Sequence, residues 1–218
     1  MCIRDSYYQD EAGIVVCQFI PTILKTSHNG STLTIQQQLG ASSSGSSANN
    51  ASIAGDNHRP DRWIITLNVN CETPSEFTLK LRLPWWVSGQ PTVTINGKDL
   101  AVQQGPSAFL SITQVWAHDT VVLELPKRLI VSVLPDAPGV CAFMDGPVVL
   151  AGLCNEERML IGDKEDPSTI LTADNEREWG TWLSGYRVRN QTQGLRFKPL
   201  HEIVDERYTV YFPIRALN

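Results

Sequence analysis

The stretch EFTLKLRLPWWV, residues 76–87, decides the fold class because its apolar and polar side chains alternate. One face of this segment carries four apolar residues: Phe77, Leu79, Leu81 and Leu83. A period of two with one apolar face is typical of an antiparallel strand that is buried on one side. Pro84 ends the alternation, since proline has no amide hydrogen to give to a sheet and lies at strand ends or bulges.

Two tryptophans follow this proline, and only one of them can continue the buried face. Unbroken alternation from Phe77 buries Trp85 and exposes Trp86, whereas a shift of register at Pro84 does the reverse. The alternation by itself leaves both arrangements open.

The same period recurs towards the N-terminus. Residues 13–21 (GIVVCQFIP) and 31–39 (STLTIQQQL) are predicted to pair across the turn SHNG. Residues 62–70 (RWIITLNVN) form a further predicted strand, with Trp63 and three aliphatic side chains on one face. Residues 40–61 are rich in Ser, Asn and Gly, which predicts a long flexible loop between strands.

Further strands follow towards the C-terminus. Asn96-Gly97 predicts a tight hairpin, because both central residues of a type I′ turn need a positive φ. Residues 108–116 and 119–126 are predicted to be two strands joined by a turn at 117–119, and residues 128–135 (RLIVSVLP) to form another.

These short, closely spaced strands predict an all-β protein made of two consecutive antiparallel β-sandwich domains with little or no helix. LPDAPG interrupts the pattern at residues 134–139, and VCAFMDGPVVLAGL then restarts it as a strand covered on both sides. We therefore predict a first domain over residues 7–135 and a second over 136–218. Residues 1–6 (MCIRDS) resemble the leader that translated sequencing adapters leave on metagenomic gene models and are discounted as artefactual.

Charge and hydropathy exclude several classes of partner. The formal net charge is −5 and is spread without blocks, so neither a nucleic acid nor a membrane surface is an expected partner. No run approaches the roughly 20 apolar residues that span a bilayer. With the N-terminus in doubt the compartment stays unknown: periplasmic, secreted and cytoplasmic locations are all open.

The five cysteines show no spacing typical of a zinc site, and their odd number argues against a full set of disulfides. Their ordinary role is that of small buried side chains. We expect structural thiols and no metal or cofactor in this chain.

Four motifs together resemble the C-terminal β-sandwich region of glycoside hydrolase family 127, the β-L-arabinofuranosidase-like proteins once catalogued as a domain of unknown function. They are FTLKLRLPWWV…VTINGKDL (77–100), FLSITQVWAHDTVVLELP (109–126), AFMDGPVVLAG (142–152) and FKPLHEIVDERYTVYF (197–212). Their order and spacing match along almost the whole chain from Tyr7 onward.

The resemblance implies a catalytic domain that this chain lacks. The family has an N-terminal (α/α)6 barrel with the active site, in which a cysteine thiolate held at a zinc ion by cysteines and a glutamate acts as nucleophile. The paired cysteines of the family lie upstream of the strand that resembles YYQDEAGIVVCQFIP. Cys17 lies after the position of the family's nucleophile and has apolar neighbours, and Cys2 lies in the suspect leader. We therefore assign neither cysteine a catalytic or zinc-binding role.

The resemblance also decides between the two tryptophans, because the recurrent tryptophan of the family stands two residues after the proline. We predict that Trp86 is buried and that Trp85 is the exposed one. Trp85, Trp179 and Trp182 are the candidates for contact with a sugar or with the absent barrel. Four carboxylates are considered as catalytic groups and interpreted as members of ordinary surface ion pairs: Asp145, Glu202, Asp205 and Glu206.

Two functions follow as hypotheses. In the first, the chain is the noncatalytic β-sandwich portion of a glycoside hydrolase and supports the family's barrel. The barrel would hydrolyse plant-type arabinofuranosides. The alternative is an independent carbohydrate-binding β-sandwich that takes plant polysaccharide.

Overall fold

The computed structural model describes residues 6–42, 60–156, 158–174, 177–178, 181–182 and 184–216. The chain divides into two compact units after Lys127. Described residues 6–42 and 60–127 belong to the first unit, and described residues from Arg128 onward belong to the second. Both units are built almost entirely of β-strands, which confirms the all-β prediction.

The described part of the first unit is a β-sandwich-like structure of eight strands. Their order across the sheet is β1-β2-β5-β8-β6-β7, and β3 pairs with β4, which pairs with β5. The strands are β1 (Tyr7–Gln9), β2 (Gly13–Val16), β3 (Thr22–His28), β4 (Ser31–Ser42), β5 (Arg62–Leu83), β6 (Thr92–Ile95), β7 (Lys98–Leu100) and β8 (Ala108–Pro126).

The long antiparallel pair of β5 and β8 organises the first unit. Residues 62–70 of β5 pair with 118–126 of β8, and residues 75–83 pair with 108–116, with a register shift between Asn70 and Ser75. Odd-numbered apolar side chains of β5 are buried on both sides of this shift: Ile65, Leu67, Val69, Phe77, Leu79, Leu81 and Leu83. The alternation predicted for residues 76–83 is therefore confirmed, and the core lies along one face of the pair.

One predicted pairing in the first unit is wrong. Residues 13–16 do not pair with residues 31–39: β2 runs parallel to residues 78–81 of β5, while β4 pairs with β3. Asn29 and Gly30, both with positive φ, join β3 to β4 directly, so the nearer segment takes the place predicted for β2. The sheet is therefore mixed, whereas the sequence predicted antiparallel pairing throughout.

The predicted turn at residues 117–119 is also absent. β8 is one continuous strand of 19 residues. The register shift lies on the opposite strand, where residues 71–74 of β5 stand across from Ala117 alone, while His118 and Asp119 pair regularly with Asn70 and Val69. The Ala117 amide donates to the Asp119 carboxylate at 2.8 Å. By contrast, the Asn96-Gly97 hairpin is confirmed, with φ of 52° and 77° between β6 and β7. The predicted loop at residues 40–61 begins later than expected, because residues 40–42 still pair with β5; residues 43–59 lie outside the described residues.

The second unit contains shorter strands. The main sheet has the order β12-β19-β10-β11-β17-β16-β13, with β9 on β10 and β18 on β11, and β14 pairs with β15 separately. The strands are β9 (Leu129–Leu134), β10 (Ala137–Asp145), β11 (Val148–Leu153), β12 (Leu160–Ile161), β13 (Leu171–Ala173), β14 (Arg177–Glu178), β15 (Thr181–Trp182), β16 (Tyr186–Val188), β17 (Arg196–Pro199), β18 (Tyr208–Thr209) and β19 (Phe212–Arg215). Two short 3-10 turns, Pro167–Thr169 and Leu200–Glu202, are the only helical segments among the described residues.

Residues 134–139, predicted as the domain boundary, comprise the end of β9, a turn at residues 135–136 and the start of β10. Because β9 pairs with β10, it belongs to the second unit, and the division between the units falls before β9 rather than after it. VCAFMDGPVVLAGL is likewise a hairpin rather than one strand, with Gly146 at a φ of 59° between β10 and β11.

The core of the second unit is an aromatic cluster. Phe143, Phe197 and Phe212 are buried, and the rings of Phe197 and Phe212 lie 5.1 Å apart, centroid to centroid. Gly152 of β11 lies beneath them, and a Cβ at that position would come within 2.4 Å of the Phe212 ring. A glycine is thus what lets the two rings pack directly against β11.

Candidate functional site

The two tryptophans after Pro84 lie in different environments. The Val87 amide donates to the Pro84 carbonyl at 3.3 Å, so the strand ends in a β-turn whose two central residues are Trp85 and Trp86. Trp86 is buried and packs edge-on against Trp63, with ring centroids 5.7 Å apart. Trp85 stands out from the turn with 55% of its surface exposed. The prediction that Trp86 is the buried member of the pair is confirmed.

The other two tryptophan candidates cannot be placed in the same way. Trp179 lies outside the described residues, and of Trp182 the structure describes only the backbone, in β15. The suggestion that they contact a sugar or another domain stays a prediction. Trp116, by contrast, is fully buried, stacks on Phe77 and donates its indole N–H to the Phe77 carbonyl at 2.9 Å.

Three of the four carboxylates considered as catalytic groups have interaction partners. Glu206 accepts from the Lys198 ammonium and from the Val204 amide, and these bonds lower the pKa of Glu206 to about 2. Glu202 accepts from the Ser184 hydroxyl at 2.7 Å. Asp145 is buried at the end of β10 and also has an interaction partner. These contacts give Glu202 and Glu206 a structural role.

The cysteines within the described residues are free thiols: Cys17, Cys71, Cys141 and Cys154. Burial raises the pKa of Cys17, Cys71 and Cys141, which favours the protonated thiol. A catalytic or metal-binding cysteine needs the opposite shift, since the thiolate is the reactive and ligating form. Cys17 is only half-buried, and Arg82 offsets a part of its shift without reversing it.

The zinc site that the family resemblance implies can be compared with the side chains present. Among the described residues, no three His, Cys, Asp or Glu side chains come close enough together to hold a metal ion. The described part of this chain therefore does not fit that metal, and no step is derived through it.

A groove of about 400 Å³ opens on the surface of the second unit. It forms where β10 and β11 diverge: β10 pairs with β19 at Val140 and Pro213, and β11 pairs with β18 at Leu153 and Tyr208. The chain between β18 and β19 crosses this gap. The residues that line it are Val140, Cys154, Asn155, Glu156, Tyr208, Thr209, Tyr211 and Pro213.

Sequence reasoning missed this groove. The alternation of YTVYF predicts one strand with Tyr208 and Phe212 on the same face. In the structure Phe212 is buried while Tyr208 and Tyr211 are each about half exposed. Alternation already places Tyr211 opposite Phe212, and the break between β18 and β19 turns Tyr208 outward as well. The amino-acid pattern carries no signal for this break beyond the density of aromatic residues.

None of the helical segments in the described ranges has the length and apolarity needed to cross a membrane.

Comparison with known proteins gives two findings. The family model of the β-L-arabinofuranosidase GH127 middle domain matches residues 13–127, more than half of the chain. A search among curated proteins finds no match.

Solved structures resemble the chain over nearly its whole length. One is a GH127 β-L-arabinofuranosidase from Geobacillus stearothermophilus T6, with a TM-score of 0.66 and 20% identity over 97% of this chain and 35% of that one. Two others are a glycoside hydrolase and a GH127 β-arabinofuranosidase, with TM-scores of 0.62 and 0.61 and 15% identity each, over 96% of this chain. The chain spans 35% to 37% of the length of these three proteins. At these identities the likeness establishes a shared fold.

Proposed function

We propose, from the premise that this chain belongs to the GH127 β-L-arabinofuranosidase family, that its two units are the noncatalytic β-sandwich portion of a glycoside hydrolase. The observation that carries the proposal is coverage. Related solved proteins match both units in one alignment, yet this chain spans only about a third of their length.

The side chains of the described residues agree with a noncatalytic role. A two-carboxylate glycosidase needs an acid and a second carboxylate about 5–10 Å apart across the scissile bond. Glu202 and Glu206 are instead bonded to Ser184 and Lys198, and the cysteines with shifted pKa values favour the protonated form. We place catalysis in an (α/α)6 barrel outside these residues, which would act on plant-type arabinofuranosides and hold the family's zinc.

The nucleotide sequence tests the link to a barrel. Upstream of the Tyr7 codon we expect a reading frame for a helical domain that ends in closely spaced cysteines. A stop codon or an unrelated gene at that place would contradict the proposal.

An activity assay tests the noncatalytic assignment independently. The purified 218-residue chain should release no product from an aryl β-L-arabinofuranoside, while a GH127 β-L-arabinofuranosidase such as the Geobacillus enzyme serves as positive control. Turnover by this chain that survives repeated purification would overturn the assignment.

A carbohydrate-binding module is the second candidate, and the exposure of Trp85 favours it. An exposed indole offers a flat apolar face against which the C–H face of a sugar can pack. Retention of the chain on immobilised arabinan should then fall on Trp85→Ala. Phe109→Ala is the matched control, because Phe109 is another exposed aromatic residue of the first unit. Equal loss in both variants, or no retention of the unaltered chain, would dismiss this candidate.

A further inference from the structure

We propose that the groove of the second unit, lined by Tyr208, Tyr211, Asn155 and Glu156 among others, binds a neutral sugar of one or two rings. This inference goes beyond the proposed function, because it concerns a site that neither the family model over residues 13–127 nor the tryptophan candidates include. It holds whether or not the chain supports a catalytic barrel.

The groove is a built feature of the fold. Tyr208 is held in register by pairing with Leu153, and Phe212, one residue after Tyr211, is anchored in the core. The Tyr211 amide donates to the Thr209 hydroxyl at 3.3 Å, and that hydroxyl donates to the Tyr211 carbonyl, also at 3.3 Å. The backbone under both tyrosines is thereby fixed, so their rings need little reorganisation to meet a ligand.

The aromatic lining favours a ligand with an apolar face. Tyr208 is 48% exposed and Tyr211 is 50% exposed, so a large part of each ring is open to a ligand. A phenol ring offers a flat apolar surface and, at its edge, a hydroxyl that donates or accepts a hydrogen bond. Sugar rings have this combination of a C–H face and a hydroxyl edge.

The polar residues that line the groove favour an uncharged ligand over an anion. Within the described part of the chain, the side chains of Asn155 and Glu156 make no hydrogen bond and are free to bind. The carboxylate accepts from hydroxyls and the amide both donates and accepts. No Lys, Arg or His is among the lining residues, and Glu156 repels anions, so phosphate and carboxylate ligands are disfavoured.

The volume fits a small ligand. About 400 Å³ lies near the lower end of the roughly 300–1,000 Å³ typical of ligand pockets. A neutral polyol ring satisfies the two tyrosines, the amide and the carboxylate together. A small organic cation over the tyrosine rings would use Glu156 but would leave the Asn155 amide without a partner.

Saturation-transfer NMR with the full 218-residue chain tests the proposal. The probes are L-arabinose, D-xylose and D-glucose, each up to about 50 mM, with tetramethylammonium as the cationic probe. We expect at least one sugar to bind with a Kd in the millimolar range, as is usual for a shallow site with few hydrogen bonds. Tyr208→Ala and Tyr211→Ala should each weaken binding at least fivefold, and Glu156→Gln should weaken it less.

Tyr8→Ala is the matched control. Tyr8 is 54% exposed on β1 of the first unit, so its removal takes away an equally exposed phenol ring without touching the groove. It should leave sugar binding unchanged. One-dimensional amide spectra of all variants verify that they are folded.

Alkylation gives a readout that does not depend on substituting the tyrosines. Cys154 lines the groove and is half-buried, and Cys17, in the first unit, has similar exposure. Bound sugar should slow the reaction of iodoacetamide with Cys154 while leaving Cys17 unaffected, as followed by peptide mass spectrometry.

Four results would overturn the proposal. They are the absence of sugar binding at 50 mM, equal loss of binding in Tyr8→Ala, persistence of binding in the Tyr208→Ala/Tyr211→Ala double variant, and binding of tetramethylammonium in preference to every sugar. Failure here leaves the proposed function untouched, because the nucleotide and activity tests do not involve the groove.

Discussion

The first and second units reach a β-fold by different means. β5 and β8 of the first unit run for 22 and 19 residues, whereas the longest strand in the described part of the second unit, β10, has nine. Long strands repeat one alternation many times, so their buried face is set locally by the pattern. Most described strands of the second unit have only two to four residues, and their placement depends on contacts between segments that are distant in sequence. The regular alternation of apolar and polar residues therefore specifies the fold of the first unit, and close packing of side chains specifies the fold of the second.

The largest loss of stability is expected when a buried side chain is removed from the core of the first unit. Trp116→Ala deletes an indole that is fully buried against Phe77 and should destabilise the first unit by about 3–5 kcal/mol. Urea denaturation gives the free energy of unfolding, and hydrogen exchange should show lost protection in β5 and β8. Val115→Ala, at an exposed neighbouring position, is expected to stay within about 0.5 kcal/mol. A loss below about 1 kcal/mol for Trp116→Ala would mean that the long pair of strands holds without its aromatic core.

The next test adds a single carbon to the second unit. Gly152→Ala places a methyl 2.4 Å from the Phe212 ring and 3.1 Å from Phe197, so the cluster must shift. Overpacking of this kind typically costs about 1–3 kcal/mol, and thermal unfolding followed by circular dichroism measures it. Gly194→Ala is the control, since a Cβ there meets nothing within 4 Å. If both variants unfold alike, close packing at β11 is not what specifies the second unit.

A smaller test strains a turn that the sequence already predicts. Gly97 has a φ of 77° in the β6–β7 hairpin, and a Cβ at this position would meet no atom within 4 Å. Gly97→Ala therefore changes the conformational energy of the backbone without creating a clash. A left-handed conformation costs an L-residue about 1–2 kcal/mol. Urea denaturation should show this loss. Gly105→Ala, also in open space but without a positive φ, should show none.

The smallest effect compares one ion pair in each unit. Asp10 binds Lys80 in the first unit and Glu206 binds Lys198 in the second, and the lysine partner is the main cause that lowers the pKa of each carboxyl. A depressed folded-state pKa contributes stability above the unfolded pKa, which is lost as pH falls through the folded value. For Glu206 the window runs from 4.5 down to about 2.

Unfolding midpoints between about pH 6 and 2 check this comparison. Glu206→Gln should flatten the part of the acid dependence that lies between pH 4.5 and about 2, and Asp10→Asn should do the same for its own depressed pKa. Asp205→Asn controls for the loss of a carboxylate beside Glu206. Since both pairs lie at the surface and solvent screens them, each effect is expected to be small. An acid dependence that both variants leave unchanged would refute the assignment.

The sequence was sufficient wherever the pattern of a single strand decides its structure. The buried face of residues 77–83 and the Asn96-Gly97 hairpin follow from patterns within a short segment. The partner of β2 did not follow, because pairing in parallel with residues 78–81 is decided by chain topology rather than by the composition of either strand. The continuity of β8 was missed because Ala117, His118 and Asp119 resemble a turn, while their pairing is decided by the opposite strand, whose residues 71–74 take up the register shift.

The candidate sites also differ in how far the sequence predicts them. The environments of Trp85 and Trp86 were predicted correctly from the family resemblance, whereas alternation alone left both arrangements open because the β-turn after Pro84 interrupts it. The groove beside Tyr208 and Tyr211 was not predicted, since it arises where β10 and β11 diverge and take different partners. Alternation assigned Tyr208 to the face of Phe212, and only the break in pairing releases it to the surface.

The parallel pairing of β2 with β5 has a consequence for the order of folding. Joining Gly13 to Thr78 closes a long loop, whose entropic cost must be met before the contact contributes stability. The β3–β4 hairpin closes across two residues and forms a template much sooner. We therefore expect the N-terminal strands to dock late onto an assembled β4–β5–β8 sheet, so that substitutions in β2 raise the unfolding rate and leave the folding rate nearly unchanged.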